Sequence, residues 1–204
     1  MFGCFLGALT GAQTNRVAPR ELEFGRTHSP QAPTKKLRPV VLPDGRMVLS
    51  VADTVYMLDA DGRQLWKFGT ASANETLTSE PAFNAGRNEV AIVGNDLLFV
   101  RLDATTGEVK WKADTVGRAT FASVTAYESG FLVVAEMSGY RSDKTSTSDR
   151  LEYWGASEED SWSIAFPIGA ELVVTGKKIY ALRRGSGMLR VHELHSPTRK
   201  KIHS

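Results

Sequence analysis

The chain has 204 residues, of which 42% are hydrophobic and 24% charged, and its formal net charge at pH 7 is +2. This composition is typical of a globular domain, and it lacks the strongly basic character of most nucleic-acid-binding proteins. The single cysteine, Cys4, excludes an intramolecular disulfide. No segment is long and apolar enough to span a bilayer. We therefore expect no nucleic-acid partner and no integral membrane segment.

The N-terminal residues resemble the end of a secretion signal. Residues 1–12 are mostly small and apolar, and Thr10-Gly11-Ala12 followed by Gln13 resembles a signal-peptidase cleavage site. This pattern indicates a truncated signal segment and a periplasmic or cell-envelope location, the alternative being an unstructured start. Residues 13–36 read as a polar linker. Within it, residues 21–24 alternate polar and apolar and could add one strand to a sheet edge.

A segment that repeats about every 42 residues dominates the rest of the sequence. The apolar strand at 47–51 returns at 89–93, 132–135 and 172–175. A period of this length is typical of β-propeller blades, each too small to bury its own apolar face. We predict an all-β fold of four antiparallel four-stranded blades, as a closed small ring or an open partial propeller. The predicted blades are 37–78, 79–122, 123–161 and 162–196, followed by a basic tail at 197–204.

Each repeat contains a turn followed by a large or branched apolar residue. Asp-Gly or a similar pair favours a tight turn, because glycine accepts positive φ without steric cost. Trp66, Trp111 and Val191 each lie four residues after the turn glycine. In the third repeat the glycine is missing, and Asp149–Trp154 aligns with the outer strand that carries Trp66. Ser163–Phe166 is then assigned to the first strand of the fourth blade.

The run Asp103–Trp111 resembles the tryptophan-docking motif of the pyrroloquinoline-quinone-like (quinoprotein-type) β-propeller repeat. The resemblance covers residues 37–196 and is strongest in the first two repeats. In that family the tryptophan packs against the neighbouring blade, while the aspartate and glycine shape the turn. By this resemblance the structural docking residues are Trp66, Trp111, Trp154, Val191, Asp59, Asp103, Gly62, Gly107 and Gly187.

The sequence offers little for catalysis or metal binding. His192 and His195 fall in a strand pattern that would place them on opposite faces. Asp59-Ala60-Asp61-Gly62 lacks the downstream ligands of a calcium loop and is explained by the turn. The acidic run 158–160 is interpreted as a solvated connector, with cation binding as the alternative. We predict no catalytic residue, no metal site and no cofactor.

Two functional classes follow from the resemblance. The first is a non-enzymatic scaffold of the cell envelope, similar to the lipoprotein scaffold of the outer-membrane assembly machine. It would bind an unidentified protein partner through rim loops, such as the polar stretch 139–150, or through an exposed strand edge. The second is a remnant or subunit of a quinoprotein-like dehydrogenase or ligand sensor that needs further blades. An open arc of four blades would also allow a homodimer with eight blades.

Overall fold

The computed structural model describes residues 38–51, 53–70, 76–95, 98–113, 120–136, 149–185 and 188–195. Within these ranges the chain forms fifteen β-strands and one 3-10 turn, Glu158–Asp160, and no α-helix. The predicted all-β fold is confirmed. The predicted signal segment, the linker, Gly187, the basic tail and most of the stretch 139–150 lie outside the described residues.

The strands form four antiparallel sheets, in each of which every strand pairs with its neighbours along the chain. The first sheet contains β1 (Val40–Val41), β2 (Met47–Val51), β3 (Thr54–Leu58) and β4 (Gln64–Gly69). The second contains β5 (Ala82–Asn84), β6 (Glu89–Val93), β7 (Phe99–Asp103) and β8 (Val109–Lys112). The third contains β9 (Thr120–Tyr127), β10 (Gly130–Glu136), β11 (Asp149–Trp154) and β12 (Trp162–Phe166). The fourth contains β13 (Glu171–Thr175), β14 (Lys178–Gly185) and β15 (Met188–Leu194).

Burial along the strands shows which sheets are covered on both faces. In β2 buried and half-buried residues alternate, whereas all five residues of β6 are buried. A strand with two covered faces is expected to be apolar without alternation, which explains the Val-Ala-Ile-Val run in β6. The second sheet therefore lies between two others.

Three hydrophobic clusters join the sheets in sequence: the first with the second, the second with the third, and the third with the fourth. Among the described residues no such cluster joins the fourth sheet to the first. The sheets thus form an open partial propeller, which is one of the two predicted arrangements.

The third repeat differs from its predicted layout. Strand β11 pairs with β10 on one side and β12 on the other, so Asp149–Trp154 is the third strand of its sheet and not the outer one. Strand β12, which the sequence places first in the fourth blade, is the outer strand of the third sheet. The reason is that residues 158–160 turn the chain back within one sheet instead of connecting two blades. The boundary predicted at 161/162 is therefore wrong, and the fourth sheet has three strands in the described part of the chain.

Candidate functional site

The turn between β7 and β8 is built around one carboxylate. The Oδ1 atom of Asp103 accepts the backbone N–H groups of Thr105 at 2.8 Å and Thr106 at 3.0 Å. These amide donors hold the pKa of Asp103 below its ordinary value. Lys110 adds an ion pair at 3.2 Å, and Gly107 has a φ of 76°. The turn is thus fixed by its own side chain and by the conformational freedom of one glycine.

The first sheet contains a similar turn, one residue shorter, one repeat earlier. Oδ1 of Asp59 accepts the N–H groups of Asp61 at 2.9 Å and Arg63 at 2.8 Å, and Gly62 has a φ of 79°. The two turns differ in what covers them. Ala104 in the second sheet is fully buried, whereas its counterpart in the first sheet, Ala60, is exposed.

Trp66 covers the turn of the second sheet. It lies on β4 with 7% of its surface exposed, and its Nε1–H donates to the carbonyl oxygen of Ala104 at 3.2 Å. A Cβ added to Gly107 would lie 2.7 Å from Cδ2 of the Trp66 ring. Arg46 donates to the same Ala104 oxygen at 2.7 Å. The first sheet therefore contacts the second through an aromatic side chain on a glycine turn.

Trp111 lies at the corresponding position between the second and third sheets, but it is only half-buried. Its ring lies 5.1 Å from that of Trp154 and 5.5 Å from that of Phe99, measured between centroids. Trp154 lies on β11, the third strand of the sheet that Trp111 contacts. Trp162, on the outer strand β12, stacks on Tyr153 at 5.5 Å with the ring planes 25° apart.

The sequence-based alignment therefore assigned the outer-strand tryptophan of the third sheet to the wrong residue. A signal for Trp162 was present, because Trp162, Ile164 and Phe166 alternate with polar or small residues directly after the acidic run. Residues 149–154 alternate equally well. Because the turn glycine is missing from this repeat, the alignment could not decide which of the two segments is the outer strand.

A buried ionic cluster that the sequence did not indicate also joins the second and third sheets. Glu89 and Arg101 are 5% and 9% exposed, and Arg101 Nε lies 3.1 Å from Glu89 Oε2. Arg87 pairs with the same carboxylate at 3.0 Å. Arg101 also donates to the carbonyl oxygen of Gly155 at 3.0 Å, across the sheet interface. Burial lowers the pKa of Arg101, whereas the hydrogen bond to Glu89 raises that of Arg87.

Polar side chains along the arc repeatedly donate in the same direction. Asn84 of the second sheet donates to the carbonyl oxygens of Glu128 at 3.1 Å and Gly130 at 2.9 Å in the third. Tyr127 of the third sheet donates to the carbonyl oxygen of Lys177 at 3.0 Å in the fourth. With Trp66 and Arg101, these side-chain contacts run from one sheet to the next along the chain, whereas the backbone N–H groups of Phe121 and Gly169 donate in the opposite direction. The two ends of the arc therefore differ: the first sheet ends it with a face in the accepting position, and the fourth sheet ends it with a face in the donating position.

Apolar side chains are exposed at both ends. In the first sheet Val41 is 64% exposed, and in the fourth sheet Leu189 and Val191 are 59% and 56% exposed. Val191 was predicted as a docking residue. It pairs with Leu182 in β14, and none of the described sheets covers it.

A cavity of about 400 Å³ opens between β9 and the start of β13, and several carboxylates line it. The most deeply buried of them, Asp149, accepts the backbone N–H of Gly169 at 3.3 Å. The described residues include no group of three or more His, Cys, Asp or Glu side chains arranged to hold a metal ion. His192 and His195 are both exposed. No helix in the described part of the chain has the length and apolar character needed to cross a membrane.

A comparison with protein families finds one model, described as outer membrane protein assembly factor BamB, which matches residues 51–193. No curated protein matches the chain. Among solved structures, BamB from Moraxella catarrhalis has a TM-score of 0.52 at 13% identity, covering 72% of this chain and 42% of its own. Quinohemoprotein alcohol dehydrogenase from Comamonas testosteroni has a TM-score of 0.48 at 18% identity, covering 61% of this chain and 20% of its own.

The WD40 domain of Pan2 from Neurospora crassa is similar at a TM-score of 0.49 and 13% identity, covering 76% of this chain and 48% of its own. This chain thus spans less than half the length of each of these proteins. They include an enzyme, an assembly factor and a WD40 domain. At 13% identity, the similarity to BamB establishes the propeller fold alone.

Proposed function

Because the chain belongs to the family of the outer membrane protein assembly factor BamB, we propose that it is a non-catalytic β-propeller module that binds a protein partner in the bacterial cell envelope. The family's description supports the location and the partner class. The observation that carries the proposal is a partly uncovered apolar face on the first sheet. We call it the outward face, and it comprises Val41, Met47, Leu49, Tyr56 and Ala60.

The strand register shows that the outward face has the residue pattern of a sheet-to-sheet interface. In the second sheet the face that contacts the first pairs Val90 with Leu102 and Ile92 with Val100, and all four side chains are buried. The corresponding pairs of the first sheet also consist of large, mostly apolar side chains, and they are Met47 with Leu58 and Leu49 with Tyr56.

The outward face differs from its counterpart in burial. Leu58 is buried like its counterpart Leu102, but Met47, Leu49 and Tyr56 are half-buried, and Val41 and Ala60 are exposed. An apolar face of this kind favours association, because covering it removes apolar surface from water.

Thiol labelling tests the proposal in cells. In a Cys4→Ser background, Val41→Cys places a thiol on the outward face. Val109→Cys is the matched control, because Val109 is 50% exposed on the outer strand of an internal sheet. A membrane-impermeant maleimide should label Val41→Cys several-fold more slowly in outer-membrane-permeabilised cells than in dilute purified protein, while Val109→Cys reacts equally in both.

Three results would contradict the proposal. Equal labelling of Val41→Cys in both preparations would mean that no partner covers the face. Labelling of Val109→Cys only after cell lysis would place the chain outside the envelope. A stable, stoichiometric absorbance band after adding pyrroloquinoline quinone and Ca²⁺ to purified protein would favour the quinoprotein alternative.

A further inference from the structure

We infer that the partner covering the outward face is the fourth sheet of a second copy of this chain, so that two arcs close head to tail into a ring of eight sheets. This inference rests on the proposed function, since it identifies the protein partner.

In the first sheet, the face that donates side-chain hydrogen bonds to the next sheet, here called a donating face, includes residues of β3 and β4. Met57 pairs with Trp66 between β3 and β4, and both side chains are buried against the second sheet together with Val55. These three residues lie on the face opposite the outward face, because neighbouring residues of a strand point to opposite sides.

The fourth sheet presents equivalent residues with nothing packed on them among the described sheets. Leu182 pairs with Val191 between β14 and β15, at the same spacing along the chain as Met57 and Trp66. Ile179 and Ala181 are buried against the third sheet, so Tyr180 and Leu182 point away from it. Tyr180, Leu182, Leu189 and Val191 form what we call the terminal face.

The outward face carries the turn on which the terminal face of a second copy would pack. In the internal interface the outer-strand residue Trp66 lies on the Ala104 turn, and Ala104 is fully buried. The equivalent turn of the first sheet carries Ala60, which is exposed. By repeating the internal interface, Val191 of one copy would lie on the Ala60 turn of the other.

Position in the repeat supports a head-to-tail arrangement. The side-chain donors named above run from each sheet to the next. By strand register the terminal face corresponds to the faces that carry these donors, and the outward face corresponds to the faces that receive them. Unlike ends can pair heterologously, and two arcs of four sheets give eight, within the range of known propellers.

Light scattering and cross-linking test the inference together. Purified protein should show a concentration-dependent mass that reaches twice the 22.3 kDa of one chain. In the Cys4→Ser background, mixing Ala60→Cys with Val191→Cys should give a disulfide-linked dimer on mild oxidation. Mixing Ala60→Cys with Val109→Cys is the matched control and should give none.

Substitutions at Val191 test the same contact in both directions. Val191→Glu should raise the dimer dissociation constant at least tenfold, while Val191→Trp, which supplies the larger ring found at position 66, should lower it. Both variants should keep the circular dichroism spectrum of the unsubstituted chain, since Val191 is 56% exposed.

The outcomes separate this inference from the proposed function. A monomer at every concentration, a dimer without the Ala60–Val191 cross-link, or open polymers larger than a dimer would each overturn the ring. If the chain is monomeric but Val41→Cys remains protected in cells, another protein occupies the outward face and the proposed function stands. If Val41→Cys is unprotected as well, both fail.

Discussion

Truncating Trp66 is the most direct test of the docking geometry. The indole lies in the cluster between the first and second sheets with 7% of its surface exposed. An aromatic side chain of this kind buries about 200 Å², which at about 25 cal/mol per Å² corresponds to about 5 kcal/mol. Measured truncations of buried tryptophan cost about 3–5 kcal/mol. We therefore expect Trp66→Ala to lower the free energy of unfolding by about 4 kcal/mol.

The lost hydrogen bond adds little to this value. The carbonyl oxygen of Ala104 keeps the Arg46 donor at 2.7 Å when the indole is removed, so no buried acceptor is left unpaired. Trp111→Ala is the comparison, and it should cost less because Trp111 is only half-buried. Urea unfolding followed by circular dichroism at low protein concentration measures both. An unchanged midpoint for Trp66→Ala, or a larger loss for Trp111→Ala, would refute the placement of Trp66 as the main contact between these sheets.

Two further predictions concern the second turn. Gly107→Ala should destabilise far more than Gly176→Ala in thermal unfolding: both glycines have positive φ, but only at Gly107 does the new Cβ meet the Trp66 ring, at 2.7 Å. Similar losses for the two variants would show that the ring does not restrict the turn. Because the folded-state pKa of Asp103 is lowered, its carboxylate stabilises the fold above the unfolded pKa of about 3.9, and this stabilisation is lost as the pH falls through the folded value. Asp103→Asn should therefore be less stable than the unsubstituted chain at pH 7 and lose less stability between pH 5 and 2; parallel urea-midpoint profiles would contradict this.

The sequence predicted the parts of the fold that each repeat encodes locally. Asp103 and Gly107 specify a turn through hydrogen bonds and φ within a few residues, and such turns are readable without tertiary information. The apolar strands at fixed spacing likewise predicted the sheets and their antiparallel order.

The parts that sequence reasoning missed depend on pairing or on distant contacts. Asp149–Trp154 and Trp162–Phe166 both alternate like strands, and only the ladder with β10 decides which is the third strand. The pairing of Arg101 with Glu89 and with the carbonyl oxygen of Gly155 depends on two sheets meeting, for which neither residue type gives a periodic signal.

The simple strand order has a consequence for how the chain acquires its structure. Every ladder within a sheet joins strands adjacent in sequence, so each sheet closes through local connections, the longest being the one between Glu136 and Asp149. The hydrophobic clusters join sheets that are also consecutive, so among the described residues no core contact joins distant ends of the chain. One repeat alone cannot bury its apolar face, so during synthesis the first sheet can become stable once the second has left the ribosome, and each later sheet then docks on sheets that are already folded. The Ala104 turn is synthesised after Trp66. The Trp66 indole therefore stays uncovered only while about 40 further residues are translated, which takes a few seconds at ordinary elongation rates.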